Sequence, residues 1–289
     1  TGAAKPARLR GCSSILLHFQ DVCRGHLLFD CGEGTCGQLI RLYGIERATK
    51  IVSELSGVWI SHHHLDHHGG LIRLIEMRRD SQLRSRLVIW GPKKVGDSLF
   101  EYFGDLGENE YDFYHCSQVH QGRNDLDKVK YMRSVPVHHC YDSFAVAVQI
   151  KVKNNGSEKE AWIIYSGDTR PCRRMIQSFS SLINLRKSDY CILVHEATYD
   201  DSMQELAIRN KHSTIGEALQ VAKDIGADFA LLTHFSQRYP RCVDDTKDAE
   251  VELPYILASD FLSFPIHNPT GALKHWQALA KLCVNTGPV

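Results

Sequence analysis

The sequence predicts a mixed α/β sandwich, and two observations support this fold class. Strand-like runs alternate with helix-like segments early and late in the chain of 289 residues, whereas hairpin signals separate such runs in between. Alternating strands and helices indicate parallel pairing, and hairpins indicate antiparallel pairing, so a purely parallel doubly wound sheet is disfavoured. No internal repeat, low-complexity tract or linker occurs up to about Ser263.

The first predicted elements are two short strands, at residues 14–19 and 25–29, around a polar turn. The glycines of Asp30-Cys31-Gly32-Glu33-Gly34-Thr35 permit an irregular turn before a helical cluster at residues 39–43. The apolar spacing at residues 71–75 also suits a helix. The other strand-like runs are residues 58–61, 87–90, 144–150, 161–166, 190–194 and 229–233.

Turn and cap signals mark the later elements. Asn154-Asn155-Gly156-Ser157 predicts a hairpin between two strands, and Thr214-Ile215-Gly216-Glu217 is a capping-box pattern that predicts the start of a helix. An apolar stripe follows it, formed by Ile215, Ala218, Leu219, Ala222 and Ile225. The stripe indicates packing against a core and not a binding groove. A short pattern at Leu273, Trp276, Leu279 and Leu282 predicts an appended helix in the tail.

The composition is that of an ordinary globular protein, with 43% apolar residues and 24% charged residues. No uninterrupted apolar stretch reaches the roughly 18 residues that a membrane span needs, so we expect no membrane association. The ten cysteines contain no C-x-x-C pair and several lie in apolar runs, which favours free thiols in a reducing compartment. The net charge of zero weakens a nucleic-acid function unless specific motifs outweigh it.

The stretch from His62 to Gly70 carries the strongest chemical signal. It contains His-x-His-x-Asp-His, formed by His62, His64, Asp66 and His67, directly after an apolar run. In extended chain His62 and His64 point the same way, whereas Asp66 and His67 follow on the turn into a helix. The pattern therefore predicts two neighbouring metal ions. Imidazole and carboxylate ligands without thiolate favour Zn²⁺ or Mn²⁺ in an open, catalytic site.

Polar groups also follow several strand-like runs. They are His138 and His139, Asp168, His195 and Glu196, and His234. Each residue alone is more often a turn former or a surface group, but together they complete two coordination shells. We expect His62, His64 and His139 on the first ion, Asp66, His67 and His234 on the second, and Asp168 as the bridge. His138 remains the alternative to His139.

These segments resemble the metallo-β-lactamase superfamily and, more narrowly, the tRNase Z family. Asp30–Thr35 is similar to the family's DCGEGT turn, and the stretch from Ser166 to Pro171 to its SGDTRP segment. The more specific matches are His195-Glu196-Ala197-Thr198 (HEAT), Lys211-His212-Ser213-Thr214 (containing HST), His234-Phe235-Ser236-Gln237-Arg238-Tyr239 (HFSQRY) and Ala258-Ser259-Asp260-Phe261 (A-x-D-[MF]). The resemblance implies a metallo-β-lactamase fold, a four-layer αββα sandwich with two Zn²⁺ per chain, Mn²⁺ being the alternative.

The resemblance also implies an activity and residue roles. It implies a zinc-dependent endoribonuclease that removes 3′ trailers from precursor tRNA by hydroxide attack after the discriminator nucleotide, leaving a 3′-hydroxyl. It selects His139 over His138 and makes Asp66 both a ligand and a proton acceptor. His212 would protonate the departing ribose oxygen, and Glu196 would orient His212. Basic residues beside the site are expected to contact phosphates: Arg8, Arg10, Arg170, Lys211 and Arg238.

Departures from the family pattern predict the domain organisation. Arg8 and Gly11 replace a Lys and an Asn of the family loop near the tRNA 3′ end, which puts discrimination against CCA ends in doubt. The first strand and the basic tRNA-binding arm of short family members are absent. We therefore expect the catalytic C-terminal half of a long form, with a domain at residues 1–264 and a tail at 265–289. Its partners would be precursor tRNA and the N-terminal half of the same polypeptide, in the nucleus, mitochondrion or cytosol.

Two other hypotheses remain. The first is another metallo-β-lactamase-fold hydrolase or nuclease, acting on thioesters, lactams or other RNA ends. The second is a non-catalytic tRNA-binding or scaffold half, which would require broken ligands, whereas all seven predicted ligands are intact. The HEAT and HFSQRY segments speak against the first hypothesis.

Overall fold

The computed structural model describes residues 1–6, 10–19, 25–81, 85–119, 126, 128–154, 157–185, 188–239, 253–271 and 273. Their strands form two sheets, one of five strands and one of six. No helix among these residues is both long and apolar enough to cross a bilayer. Every cysteine in the described part of the chain is a free thiol, as the cysteine spacing predicts.

The first sheet has the order β1-β2-β3-β4-β5. Its strands are β1 (Ile15–Leu17), β2 (His26–Phe29), β3 (Leu55–Trp59), β4 (Leu87–Gly91) and β5 (Tyr111–His115). Only β1 and β2 pair antiparallel, and the other pairs are parallel. The helices of this half are α1 (Thr35–Tyr43), α2 (Ile45–Ser53), α3 (Leu65–His68), α4 (Leu71–Asp80) and α5 (Lys93–Phe103).

The second sheet has the order β11-β10-β9-β8-β7-β6. Its strands are β6 (Val129–Pro136), β7 (Phe144–Asn154), β8 (Ser157–Tyr165), β9 (Tyr190–Glu196), β10 (Phe229–Thr233) and β11 (Tyr255–Leu257). The strands β6, β7 and β8 form an antiparallel meander, and β8 to β11 are parallel. The helices of this half are α6 (Arg173–Leu185), α7 (Gln204–Asn210) and α8 (Ile215–Ile225).

Local signals in the sequence account for two of these elements. Asn154 pairs with Ser157 across the β7–β8 hairpin, as the Asn-Asn-Gly-Ser stretch predicts. Helix α8 begins with the predicted capping box, in which the Thr214 side chain accepts from the backbone N–H of Glu217 and the Glu217 side chain accepts from that of Thr214. Gly226 ends the helix in the left-handed conformation that glycine adopts without strain.

Three apolar clusters hold the layers together. One lies between the sheets and includes Phe29, Trp59 and Tyr165. The second joins the first sheet to the helices of its half, and the third joins the second sheet to α6 and α8, including Phe179. Each large side chain buried completely in this way contributes about 1.5–3 kcal/mol to folding. The layers are thus helix, sheet, sheet, helix, which confirms the predicted αββα sandwich.

The topology brings one end of several strands to a common edge. Strands β8, β9 and β10 are parallel, so the segments after Tyr165, Glu196 and Thr233 leave the second sheet at the same edge. Because β7 runs antiparallel to β8, the β6–β7 connection returns to that edge as well. The side chains that follow these strands are therefore neighbours. The appended helix predicted in the tail falls mostly outside the described residues, although Leu273 packs against the inter-sheet core.

Candidate metal centre

The His-x-His-x-Asp-His segment changes conformation in its middle. His64 is the N-cap of α3 and keeps an extended backbone, with φ −76° and ψ 143°. His62 and His64 therefore leave β3 in extended chain, whereas Asp66 and His67 stand on the first turn of α3. This change of direction divides the motif between two groups of ligands, as the spacing predicts.

The first group contains His62, His64, His139 and Asp168. Nδ1 of His64 lies 2.9 Å from Nε2 of His62 and 3.3 Å from Nε2 of His139. His62, His139 and Asp168 are buried, whereas His64 is exposed. His138 belongs to none of the possible metal-binding groups found in the described part of the chain, so the geometry favours His139 of the two neighbours.

The second group contains Asp66, His67 and His234. Nε2 of His234 lies 3.2 Å from Nε2 of His67 and 3.3 Å from Oδ2 of Asp66. His234 has a positive φ of 60°, a strained backbone for a non-glycine residue. Such strain is commonly retained where a functional side chain must be aimed at one point.

Asp168 lies between the two groups. Its Oδ2 is 3.3 Å from Nε2 of both His67 and His234, and 3.6 Å and 3.8 Å from Nε2 of His62 and His139. The other oxygen, Oδ1, is buried and has no hydrogen-bond partner among the described residues. A buried carboxylate oxygen without a partner is costly unless something else satisfies it.

These observations fit metal binding. Donors at about 2.0–2.1 Å from a tetrahedral Zn²⁺ are separated by about 3.3 Å, which is close to the spacings within both groups. Adjacent ring nitrogens and a partnerless carboxylate oxygen would all gain from a cation placed among them. The residues present could hold a metal in either group, with Asp168 serving both.

In four of these histidines, the ring nitrogen that points away from the candidate metal centre contacts an oxygen atom, which orients the ring. Three of them are described first, and His234 follows below. Nδ1 of His67 donates to Oδ2 of Asp30 at 2.6 Å, and Nδ1 of His139 donates to the carbonyl of Lys211 at 3.0 Å. Nδ1 of His62 lies 3.0 Å from the Ser61 hydroxyl. A proton on the remote nitrogen leaves the lone pair on the nitrogen that faces the site, as metal coordination requires.

His234 is oriented by a relay through Thr198. The Thr198 hydroxyl lies 2.7 Å from Oε2 of Glu196 and 2.9 Å from Nδ1 of His234. Because an ionised carboxylate only accepts, the hydroxyl donates to Glu196 and accepts from Nδ1 of His234. The lone pair of His234 therefore stands on Nε2, toward Asp66.

Asp30 is a buried anchor that the site-residue prediction does not include. It follows β2 with a positive φ of 55° and accepts hydrogen bonds from the Ser61 backbone at 2.7 Å and from the Tyr165 hydroxyl at 2.6 Å. Asp30 directly follows a strand, and the same placement marks other polar residues of the candidate site. The same criterion, applied to the DCGEGT turn, would have found it.

The pKa shifts agree with neutral ligands in the first group. Burial, reinforced by His67, lowers the pKa of His62 well below its ordinary value. Burial and His139 lower the pKa of His64 to about 4. In the second group burial opposes charge, but Asp168 and Asp30 outweigh it and raise the pKa of His67 well above its usual range. A metal ion held by His67 would therefore have to replace a proton on this ring.

His212, which is partly buried, and Glu196, which is buried, form an ion pair beside the two groups. Nδ1 of His212 lies 3.0 Å from Oε1 of Glu196 and 3.9 Å from Oδ2 of Asp168. Burial opposes the charge of His212, but Glu196 and Asp168 raise its pKa to about 9. Glu196 is ionised because His212 outweighs burial and lowers the pKa of the carboxyl. Nδ1 is thus engaged with Glu196, which leaves Nε2 for a reacting group.

The predicted phosphate-binding residues have different environments. The guanidinium of Arg170 forms a two-bond pair with Glu217 and also donates to the His212 carbonyl at 2.7 Å. Arg10 is buried, with its guanidinium 4.9 Å from the Phe235 ring. Lys211 is exposed, and Arg238 lies over the Tyr199 ring at 5.4 Å. Arg8 lies outside the described residues.

A cleft of about 850 Å³ lies elsewhere, along β1 and the segment from Ala258 to His267. None of the seven predicted ligands lines it. The chemically equipped site thus lies at the edge of the second sheet and not in this cleft.

Comparison with known proteins places these features in context. The family model of the beta-lactamase superfamily domain matches residues 26–235. The chain is 33% identical over 261 residues to the mitochondrial ribonuclease Z of Drosophila melanogaster, covering 87% of this chain and 32% of the fly protein. It spans about a third of the length of this and other curated relatives that it matches.

Two solved structures share the fold. A long-form RNase Z from yeast superposes with a TM-score of 0.80 at 23% identity, covering 96% of this chain and 42% of the yeast chain. The short form of human tRNase Z superposes with a TM-score of 0.66 at 26% identity, covering 92% of this chain and 96% of the human chain.

Proposed function

The chain belongs to the beta-lactamase superfamily, and from that premise we propose that it is the catalytic part of a ribonuclease Z. It would be a metal-dependent phosphodiesterase that cuts precursor tRNA after the discriminator nucleotide and leaves a 3′-hydroxyl. The fly relative described above is a ribonuclease Z, and the human structure is a tRNase Z. The proposal extends to this chain the ribonuclease activity for which these proteins are named.

One observation carries the proposal, the partly buried His212–Glu196 pair, in which Nδ1 of His212 lies 3.9 Å from Asp168. A departing ribose oxygen is a strongly basic alkoxide and needs a proton as its bond to phosphorus breaks. A departing thiolate, with a pKa near 8.5, needs one far less. A histidine that is protonated at neutral pH is therefore expected in a phosphodiesterase more than in a thioesterase.

We propose that the two ligand groups hold two Zn²⁺, with Mn²⁺ as the alternative. Bound there, the ions would lower the pKa of water and neutralise charge on the phosphate. They would also cancel part of the charge of Asp168, so the pKa of His212 would lie below its metal-free value of about 9. His212 would then titrate closer to neutrality, where a general acid works best.

The protein side chains have separate tasks in this mechanism. Asp66 is ionised because its contact with His234 and the nearby His67 imidazole outweigh burial and lower its pKa. It would accept the proton of the attacking water. His212 would donate the proton on Nε2 to the ribose oxygen, while Glu196 holds Nδ1 and stabilises the cation.

Substrate contacts follow from the environments of the basic residues. Lys211 is exposed directly before His212, and Arg238 is exposed within the HFSQRY segment, so both would contact phosphates. Arg8 and Arg10 belong to the predicted loop near the tRNA 3′ end. Arg170 is engaged by Glu217 and by the His212 carbonyl, so we propose that it positions His212 and does not bind phosphate.

The proposed partners are precursor tRNA and a further part of the polypeptide that carries the tRNA-binding arm. The chain spans about a third of its curated relatives, so substrate binding by the whole protein would involve residues beyond this region. The fly relative is described as mitochondrial, which favours the mitochondrion among the compartments expected from the sequence.

The test is to incubate the zinc-loaded chain with labelled precursor tRNA and to map both product ends. We expect one cut after the discriminator that is lost in Asp66→Ala and reduced at least a hundredfold in His212→Ala, with His212→Ala retaining its metal. His138→Ala is the matched control, because this histidine adjoins His139 but belongs to no ligand group. Hydrolysis of thioesters without any cut in the tRNA, also after addition of the tRNA-binding part, would refute the proposal.

A further inference from the structure

A third group, of one sulfur donor and two imidazole donors, lies beside the first ligand group. Sγ of Cys140 lies 3.7 Å from Nδ1 of His63, and with His64 these residues offer donor atoms within 4.8 Å of one another. Cys140 and His63 are both partly buried, and neither belongs to the predicted metal centre. The contact joins the His-rich segment to the β6–β7 connection, 77 residues apart.

The separation of these two donors suits a soft metal ion. A thiolate at about 2.3 Å and an imidazole nitrogen at about 2.05 Å from a tetrahedral ion are separated by about 3.6 Å. The seven predicted ligands of the main centre are nitrogen and oxygen donors, so Cys140 introduces a thiolate preference that the centre itself lacks.

We propose that Cys140 and His63 form an accessory site for a thiophilic divalent ion, such as Cd²⁺ or Zn²⁺ in excess, and that this ion competes for His64. Coordination replaces the thiol proton of Cys140, which passes to the solvent. His64 is the member shared with the first ligand group, where its Nδ1 lies 2.9 Å from Nε2 of His62. An ion that attracts His64 removes one ligand from the main centre, and the accessory site is therefore inhibitory.

The charges around His63 are compatible with this site. Nζ of Lys94 lies 3.4 Å from Nε2 of His63, and the carboxylate of Asp142 also acts on this ring. Lys94 is exposed, so its ammonium can turn into water when a cation binds on the Nδ1 side. Asp142 supplies negative charge near the incoming ion.

The experiment is a Cd²⁺ titration of the zinc-loaded chain with two readouts. The first is the ultraviolet charge-transfer absorption of a cadmium–thiolate bond, and the second is hydrolysis of bis(p-nitrophenyl) phosphate. Cys140→Ser and His63→Ala are the test variants. Cys172→Ser is the matched control, since Cys172 belongs to no candidate ligand group among the residues described.

We expect the wild type and Cys172→Ser to gain the absorption with one Cd²⁺ per chain and to lose at least tenfold in activity. Cys140→Ser should lose this absorption and tolerate at least tenfold more Cd²⁺, and His63→Ala should bind Cd²⁺ at least tenfold more weakly. An absorption that persists in Cys140→Ser, or inhibition equal in wild type and Cys140→Ser, overturns the inference. A chain without hydrolytic activity would still be tested by the absorption, which separates this inference from the proposed function.

Discussion

Replacement of Glu196 by Gln separates the charge of this carboxylate from its shape. Glu196 is buried, and its Oε1 accepts from Nδ1 of His212 and from the backbone N–H groups of Thr169 and Ser213. Its Oε2 accepts from the backbone N–H and the hydroxyl of Thr198. A glutamine with its oxygen on the His212 side keeps that hydrogen bond and loses the charge.

The structure sets the magnitude of two effects. Glu196 is the largest contribution that raises the pKa of His212 from 6.5 to about 9, a net rise worth about 3 kcal/mol. Without that charge the alkaline limb of activity should move to lower pH by about 1–2 units. In the variant, the NH₂ group of the glutamine replaces Oε2 and faces the backbone N–H of Thr198. That N–H then has no acceptor, which should cost about 1–3 kcal/mol of stability.

The assay is the pH dependence of kcat/KM on precursor tRNA, together with the Tm and the metal content of each variant. We expect Glu196→Gln to keep its metal and to lose roughly 2–12 °C in Tm. As the pH rises, its kcat/KM should begin to fall at a lower pH than that of the wild type. Glu217→Gln is the matched control. Glu217 pairs with Arg170 and caps α8, so its loss should cost similar stability but leave the alkaline limb in place.

A Glu196→Gln protein with full metal content and an unshifted alkaline limb would refute this reasoning. Glu196 would then support the fold only, and His212 would owe its protonation to another group. Asp168, which also raises the pKa of His212, would be the group to examine next.

Three further predictions test other parts of the site. Asp30→Asn should weaken metal binding about 10–100-fold without removing a ligand, because Asp30 accepts the hydrogen bond that orients His67. A metal titration in competition with a chromophoric chelator would measure the affinity. An unchanged affinity would contradict the anchoring role of Asp30. In chelator-treated protein His67 has a raised pKa, so its protonation stabilises the fold fully below about pH 6.5. This stabilisation is lost as the pH rises through the pKa of His67 in the folded state. The urea midpoint of unfolding should therefore fall toward alkaline pH more steeply in the wild type than in His67→Asn. Tyr141 is 85% exposed two residues after His139, so Tyr141→Ala should raise KM for precursor tRNA by about 5–150-fold through lost stacking while kcat changes little. Tyr102→Ala, on α5, is the control for general surface effects, and an equal KM for both variants would rule stacking out.

Local patterns made much of the fold predictable. The capping box of α8 and the β7–β8 hairpin involve residues within a few positions of one another, so their energetics are already present in short segments of chain. The two-group division of the His-rich motif is also local, since it depends on an extended backbone up to His64 and a helix from Leu65. The edge strands β1 and β11 have only three residues each, and their pairing partners determine them more than their own composition does.

The roles of the basic side chains could not be read in the same way. A sequence shows that Arg170 lies two residues after Asp168, but not that Glu217, 47 residues later, will neutralise its guanidinium. It shows His138 and His139 side by side, and only the closure of the β6–β7 connection onto Lys211 separates them in space. A basic side chain is available to bind a phosphate only where no nearby carboxylate already pairs with it. Whether such a carboxylate is nearby depends on long-range packing.

The sequence by itself therefore indicated the candidate ligand types, their order along the chain and the mixed α/β class, because residue chemistry and short-range backbone preferences suffice for these. The four-layer arrangement followed from the family resemblance. The tertiary structure decided which nitrogen of each histidine faces the site, through Asp30, Thr198 and the Lys211 carbonyl. It also decided that Cys140 lies against His63. These contacts join segments that are far apart in the chain, and their hydrogen bonds form only once the two sheets have packed and excluded water from the edge between them.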